Sequence, residues 1–237
     1  MATTLHTNKD KKALYNEAAD LFRADLQTRQ QGKIIVTVGL CGGDSVRDFY
    51  GAVTNTRYMW DFIGGKYDKV HFFLTDERFT DTPTQKNYRI AFENSGLAMI
   101  MKRSNIYPFP GIKTEVKSAL PEYSNSLSRT SGFPPKLEVI VLSAGEDGHI
   151  ASLFPNHSSI RSQEEGYILV ENSPTPQKTR ISASPKMIQR ADTVFLFFMD
   201  ERKRRAYEMF NSEGSLEECP SRLVKSCSNV LVFTNLI

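Results

Sequence analysis

The stretch Leu142–Pro155, LSAGEDGHIASLFP, gathers the residue types that acid–base chemistry requires. An apolar run, Leu137–Leu142, leads into a turn with Gly145 and Gly148. That turn carries Glu146, Asp147 and His149 ahead of the apolar pair Leu153–Phe154. Glycine lets the backbone take positive φ or pass close to a ligand, and a neutral imidazole accepts a proton near pH 7. His149 is therefore a candidate general base and Asp147 a candidate orienter. The alternative is a structural histidine in a tight turn. Placement after a buried strand favours the catalytic reading, because open α/β sheets bind ligands at the carboxyl ends of their strands.

Three further segments carry charge or glycine in suggestive patterns. Gly39-Leu40-Cys41-Gly42-Gly43-Asp44-Ser45 joins an apolar strand to a helix. Paired glycines there expose N–H groups at a helix N-terminus, which favours an anion such as phosphate. Asp44 or Ser45 serving as a plain N-cap is the alternative. The segment is neither a Walker loop nor a Gly-x-Gly-x-x-Gly. Asp76-Glu77-Arg78 offers a guanidinium fork suited to phosphate, with two carboxylates to orient it or to bond sugar hydroxyls; a surface ion-pair cluster is the plainer reading. Ser173–Arg180, SPTPQKTR, is a proline-stiffened loop in which Lys178 and Arg180 alternate. On an extended chain both would face one side and meet an anion; otherwise the segment is a solvated basic loop. His71 lies within a strand and is read as structural, and His157 as an exposed bystander. A metal site from His149 and His157 lacks helical ligand spacing and cysteine partners.

These segments need a scaffold. Leu14, Ala18, Leu21, Phe22 and Leu26 recur at helical spacing, predicting a helix over Lys9–Gln30. Lys33–Leu40, KIIVTVGL, suits a strand covered on both faces. Further strands are expected at Val70–Leu74, Leu137–Leu142, Tyr167–Val170, Ile181–Ser184, Thr193–Met199 and Val230–Phe233. Helices are expected at Val46–Val53, Asn87–Asn94, Val116–Arg129, Pro185–Arg190 and Glu201–Asn211, and a loop at Pro108, Pro110 and Gly111. Strand–loop–helix alternation implies an α/β protein with a mostly parallel sheet and helices on both faces. Short linkers and the absence of repeats point to a single domain over residues 1–237.

Composition narrows the function classes. With 40% apolar and 24% charged residues the chain builds a core and stays soluble. A net charge of +3 with scattered Lys and Arg suits a small anionic substrate, and no dense basic block marks a nucleic-acid binder. Three widely spaced cysteines give neither a disulfide framework nor a zinc pattern, so the reducing cytosol is the expected compartment. The polar N-terminus lacks a signal-peptide core, and no run approaches the ~20 apolar residues of a membrane span.

Taken in order, the four segments resemble the 6-phosphogluconolactonase family, which is similar in turn to glucosamine-6-phosphate deaminases. The likeness runs from the first helix to Val232, and Gly145–Pro155 is its most specific part. It implies a single Rossmann-like domain that hydrolyses 6-phosphoglucono-δ-lactone to 6-phosphogluconate, in the oxidative pentose phosphate pathway, without metal or organic cofactor. It places His149 at the catalytic base, with Asp147 beside it. Gly42, Gly43 and Ser45 fall on the phosphate loop, and Arg78 and Arg180 on the substrate-binding arginines. Asp76 and Lys178 join this expected substrate-binding set.

The deaminase branch typically reads Asp-Glu-Tyr where this chain has Asp76-Glu77-Arg78. It also reads Phe-Asn-Glu where this chain has Ser152-Leu153-Phe154; Ile150 alone leans toward that branch. A glucosamine-6-phosphate deaminase, or a non-catalytic sugar-phosphate binder, is the alternative. The chain departs from the family pattern at Cys41 and Asp44 in the phosphate loop, at Ser143, and at Thr175, where a lysine is usual. The usual Gly-x-x-Lys is here Asp200-Glu201-Arg202-Lys203. The expected partner is a small sugar phosphate lactone, and the expected assembly a monomer or weak homo-oligomer.

Overall fold

Thr193–Phe198, TVFLFF, is buried along its whole length, and its side chains divide between two cores. Phe195 and Phe197 enter one; Val194, Leu196 and Phe198 enter the other. A strand apolar on both faces belongs in the middle of a covered sheet. In the computed structural model, residues 2–55, 67–101, 105–109 and 116–237 are described. Their strands are β1 (Ala2–Thr7), β2 (Val36–Leu40), β3 (Val70–Leu74), β4 (Asp76–Arg78), β5 (Ile106–Tyr107), β6 (Val139–Ser143), β7 (Tyr167–Val170), β8 (Arg180–Ala183), β9 (Thr193–Phe198) and β10 (Asn229–Thr234). The α-helices are α1 (Lys11–Gly32), α2 (Asp44–Val53), α3 (Leu97–Ile100), α4 (Val116–Ser131), α5 (Pro185–Gln189) and α6 (Arg204–Asn211).

Seven strands form one parallel sheet in the order β1-β10-β9-β6-β2-β3-β5. Helices α1 and α2 cover one face through Leu14, Phe22, Phe49 and Val53. Helices α4, α5 and α6 cover the other through Tyr123, Leu127, Met187, Ile188 and Phe210. Asp10 caps α1 by accepting from Lys12 N and Ala13 N, so the helix starts two residues later than the periodicity predicts. Among the described residues no helix is long and apolar enough to cross a membrane. The loop expected at Pro110 and Gly111 lies outside the described residues.

Two features were not expected. The polar segment Ala2–Thr7 adds an edge strand beside β10. A second, antiparallel sheet, β4-β8-β7, also stands on the first. Two tyrosines direct the chain from β3 into it: Tyr123 Oη accepts from Leu74 N at 2.8 Å, and Tyr167 Oη donates to Leu74 O at 2.6 Å.

At the amino ends of the central strands, charges neutralise one another. Arg29 pairs with Asp192 at 3.1 Å, Lys136 pairs with Asp192 at 2.6 Å, and Lys33 pairs with Glu138. Glu138 also accepts from Thr37 N at 3.1 Å.

Candidate active site

The opposite ends of β9, β6, β2 and β3 lie side by side, in register through Ser143↔Phe197, Leu40↔Val141 and Leu40↔Leu74. Four segments leave them: Asp200–Lys203, Ala144–His149, Cys41–Ser45 and Asp76–Arg78. Strand order reverses between β2 and β6, so the loops after these two strands diverge there. Open α/β sheets take ligands at such a switch point, outside the carboxyl ends of the strands.

His149 owes its position to glycine. Gly148 has φ of +87°, a conformation that strains other residues, and its N–H donates to Gly145 O at 3.1 Å. A Cβ on Gly145 would stand 2.0 Å from His149 Nδ1, so the imidazole fills space that any side chain would take. Asp147 Oδ1 lies 2.6 Å from His149 Nδ1 and accepts from His149 N at 3.1 Å. Burial pushes the Asp147 carboxyl up, but the His149 ring and N–H outweigh it and hold it below its ordinary value. A carboxylate at that distance favours the tautomer with its proton on Nδ1, in which the lone pair stands on Nε2. The ring leans on Phe154, centroids 4.7 Å apart.

Phe154 also leads to the arginines. Arg180 Cζ lies 5.3 Å from the Phe154 centroid, and Arg180 is the strand partner of Arg78 across β4 and β8. Neutral oxygens hold both guanidiniums. Arg78 Nη1 donates to Gln85 O at 3.1 Å; Arg180 Nε donates to Gln177 O at 3.1 Å, and its Nη2 to Thr175 Oγ1. The Gln177 and Gln85 side chains are bonded at 2.9 Å, tying the two segments together. Arg78 Nε is buried without a partner. Among the described residues neither arginine makes an ion pair. Burial pulls the Arg180 guanidinium below its ordinary value; Asp76 opposes this and Arg78 adds to it. Two adjacent cations that make no ion pair among the described residues, with Asp76 and Glu77 acting on Arg180 only through space, are suited to an anion.

Asn87 joins the arginine segment to the glycine loop. Its Nδ2 donates to Asp76 O at 3.0 Å, and a Cβ on Gly42 would stand 2.1 Å from its Oδ1. Glu77 accepts from Asn87 N and Tyr88 N at 2.7 and 2.9 Å and so fixes the start of that helical turn. Gly43, at φ +108°, opens α2 with no side-chain cap; Val46 N donates to Gly43 O at 3.4 Å, and the first-turn N–H groups before it have no side-chain cap. Ser45 sits in that first turn, and its carbonyl accepts from Tyr15 Oη at 2.7 Å. Asp44 does not oppose an anion: it is exposed and pairs with Arg47 at 2.5 Å. Cys41 is buried, and burial with nearby Asp76 pushes its thiol up to about 12, so it is no nucleophile.

Several expectations are corrected. Lys178 does not join Arg78 and Arg180: it is exposed and donates to Ser173 O at 3.2 Å within its own loop. The two-residue alternation holds only within a strand, and β8 begins at Arg180. Asp76 is 4% exposed, and its Oδ2 accepts from Ser152 Oγ at 2.9 Å; it supports the rim from beneath rather than facing a ligand. His157 is half-buried rather than exposed: its Nδ1 accepts from Ser159 N at 3.1 Å and its Nε2 lies 3.0 Å from Glu171 O, in keeping with a structural role. His71 meets Tyr107 Oη at 3.0 Å, in keeping with a structural role.

Lys203 was missed. Burial lowers its ammonium from the ordinary value, with Glu146 and Asp147 opposing and Arg202 adding to the fall. Its neighbour Arg202 pairs with Glu146 at 3.5 Å, which sets this segment beside the His149 turn; the signal for Lys203 was its place in the Asp200–Lys203 counterpart of Gly-x-x-Lys. Asp200 takes φ of +73° where that pattern has glycine, held by Lys11 and by Asn235 Oδ1, which accepts from its N–H at 2.8 Å.

The family model described as glucosamine-6-phosphate isomerases/6-phosphogluconolactonase matches residues 9–233. The chain belongs to this family. Within it, the chain is 34% identical over 207 residues to a 6-phosphogluconolactonase of Borreliella burgdorferi, covering 84% of this chain and 83% of that protein. A solved 6-phosphogluconolactonase from Trypanosoma cruzi superposes with a TM-score of 0.84 at 16% identity, covering 98% of this chain and 94% of that one. The Thermotoga maritima 6-phosphogluconolactonase gives 0.78 at 18%, covering 99% and 100%. At such identities these two structures establish that the family fold is shared from end to end.

Proposed function

We propose that this chain hydrolyses 6-phospho-D-glucono-1,5-lactone to 6-phospho-D-gluconate. The observation that carries this reading is the 2.6 Å contact between Asp147 Oδ1 and His149 Nδ1, which leaves Nε2 as a proton acceptor at the rim. The phosphate rests on the N–H groups of the Gly42–Gly43 loop and on Arg78 and Arg180, positioning C1 of the lactone at His149. Nε2 takes a proton from water as the water oxygen bonds to C1. The carbonyl electrons move onto oxygen, giving a tetrahedral oxyanion that nearby donors must stabilise. When the carbonyl re-forms, the bond from C1 to the ring oxygen breaks and that oxygen takes the proton from the imidazolium. The products are a carboxylic acid, which ionises, and a free hydroxyl. Atoms balance without a cofactor, and Asp147 keeps its charge throughout. Lys203 adds a second cation beside Asp147. The names carried by relatives and the Ser152-Leu153-Phe154 segment also support a lactonase over an amino-sugar deaminase.

The test is proton release from freshly prepared lactone, corrected for spontaneous opening, with His149→Ala alongside. Loss of the general base should lower kcat by about 10²–10⁴-fold, with the melting temperature unchanged. Wild-type turnover in the variant would overturn the role of His149. Ammonia release from glucosamine 6-phosphate with no lactone turnover would replace the function, and ligand binding without either reaction would make the chain a sugar-phosphate binder.

A further inference from the structure

The two edges of the parallel sheet are finished differently. At one, β5 is only two residues long, Ile106–Tyr107. At the other, β1 runs for six residues in unbroken register with β10, and five of the six are exposed. Natural edges of this length carry lysine, proline or a bulge to block pairing with another chain. The sequence Ala-Thr-Thr-Leu-His-Thr has no lysine, arginine, carboxylate or proline, and its register has no bulge.

The register also fixes which backbone groups point outward. Ala2 N donates inward to Ser228 O. By two-residue alternation, Ala2, Thr4 and His6 turn their N–H and C=O toward β10, and Thr3, Leu5 and Thr7 turn theirs away. His6 is pinned on the inner side: its ring stacks on Phe233 with centroids 4.7 Å apart, and Nδ1 meets Glu17 at 2.7 Å. Leu5 is 51% exposed.

We propose that β1 pairs antiparallel with β1 of a second copy of this chain, about a two-fold axis through Leu5. The outward groups are self-complementary about that residue. Leu5 opposes the partner's Leu5, and Thr3 opposes the partner's Thr7. In an antiparallel ladder each such pair exchanges two N–H···O bonds, which uses every outward donor and acceptor of Thr3, Leu5 and Thr7. On one face the two Leu5 side chains lie together, flanked by Thr–Thr pairs, the kind of cross-strand pair that stabilises a sheet. On the other face Thr4 opposes the partner's His6, and no like charges meet. The two seven-stranded sheets become one continuous sheet. A single strand pair is a small contact for a dimer, so association is concentration-dependent.

Sedimentation of the full chain across a concentration series tests this. The mass should rise from 26.8 kDa toward twice that value. Leu5→Lys and Leu5→Glu each place like charges face to face at the axis and should weaken association about tenfold. An equimolar mixture of the two variants should recover it, because opposite charges then meet. Lactone turnover should be unchanged, since β1 lies three strands from β6. A mass that stays at one chain at every concentration overturns the proposal. So does association of the wild type that Leu5→Lys leaves intact, which would place the contact elsewhere.

Discussion

The two ends of the central sheet both carry buried or half-buried arginines, but they treat them in opposite ways. At the amino ends of the strands, Arg29 and Lys136 share Asp192, and Lys33 meets Glu138. Each cation has its counter-ion within the protein. At the carboxyl ends, Arg78 and Arg180 sit in adjacent register and are held by carbonyls and a hydroxyl. Neutral acceptors orient a guanidinium without forming an ion pair with it, which suits it to meet an anionic ligand. Whether a cation is paired or only oriented separates the amino end of the sheet from the carboxyl end proposed to bind.

This contrast can be broken by exchanging readouts. Arg78→Ala and Arg180→Ala should each raise KM for the lactone about 10–100-fold, the value of one charge-assisted contact, and leave the melting temperature nearly unchanged. Arg29→Ala should do the reverse, lowering the melting temperature by about 2–4 °C with KM intact. Thermal melts and steady-state kinetics on the three variants decide it; a KM effect at Arg29 would erase the distinction.

A smaller effect sharpens the binding end. Gly42→Ala drives a methyl group into Asn87 Oδ1, and Asn87 is held by its bond to Asp76 O. The glycine loop must then shift, and kcat/KM should fall about tenfold, an ordinary cost for displaced binding groups. Adding Asn87→Ala should recover part of the loss. If the double variant is worse than the single one, the collision is not the cause.

The smallest effect concerns pH. Burial raises the Asp192 carboxyl, but Lys136 and Arg29 outweigh it and hold it below its ordinary value. The unfolded chain therefore binds this proton more readily than the folded one. The stabilisation is fully present above the unfolded carboxyl's pKa, near 3.9, and is lost as pH falls through the lower folded value. The melting-temperature gap between wild type and Asp192→Asn should be constant near neutrality and should close below about pH 4. A gap that persists in strong acid would mean that Asp192 does not act through its charge.

Much of the binding end was readable from the chain. Buried strands are continuous apolar runs, and the glycines, acids and cations that follow them mark the rim. The antiparallel sheet was less legible, because Asp76–Arg78 is a three-residue strand with no apolar run to announce it. Without it, the Arg78–Arg180 register was invisible, and Lys178 seemed as well placed as Arg180. Ala2–Thr7 escaped for a related reason: an exposed edge strand has no face that must be apolar. The exposure of Asp44 was hidden by the start of α2, which lies at Asp44, two residues before the Val46 that the pattern predicts.

Phe154 touches both halves of the proposed chemistry, with the imidazole 4.7 Å and the Arg180 guanidinium 5.3 Å from its ring centroid. Its ring thus acts as a gauge block. The gap between the point of hydrolytic attack and the anchor for the anion cannot exceed the two contacts laid end to end. On the proposed chemistry, a substrate whose phosphate is held farther from its carbonyl than that limit would reach only one of the two stations.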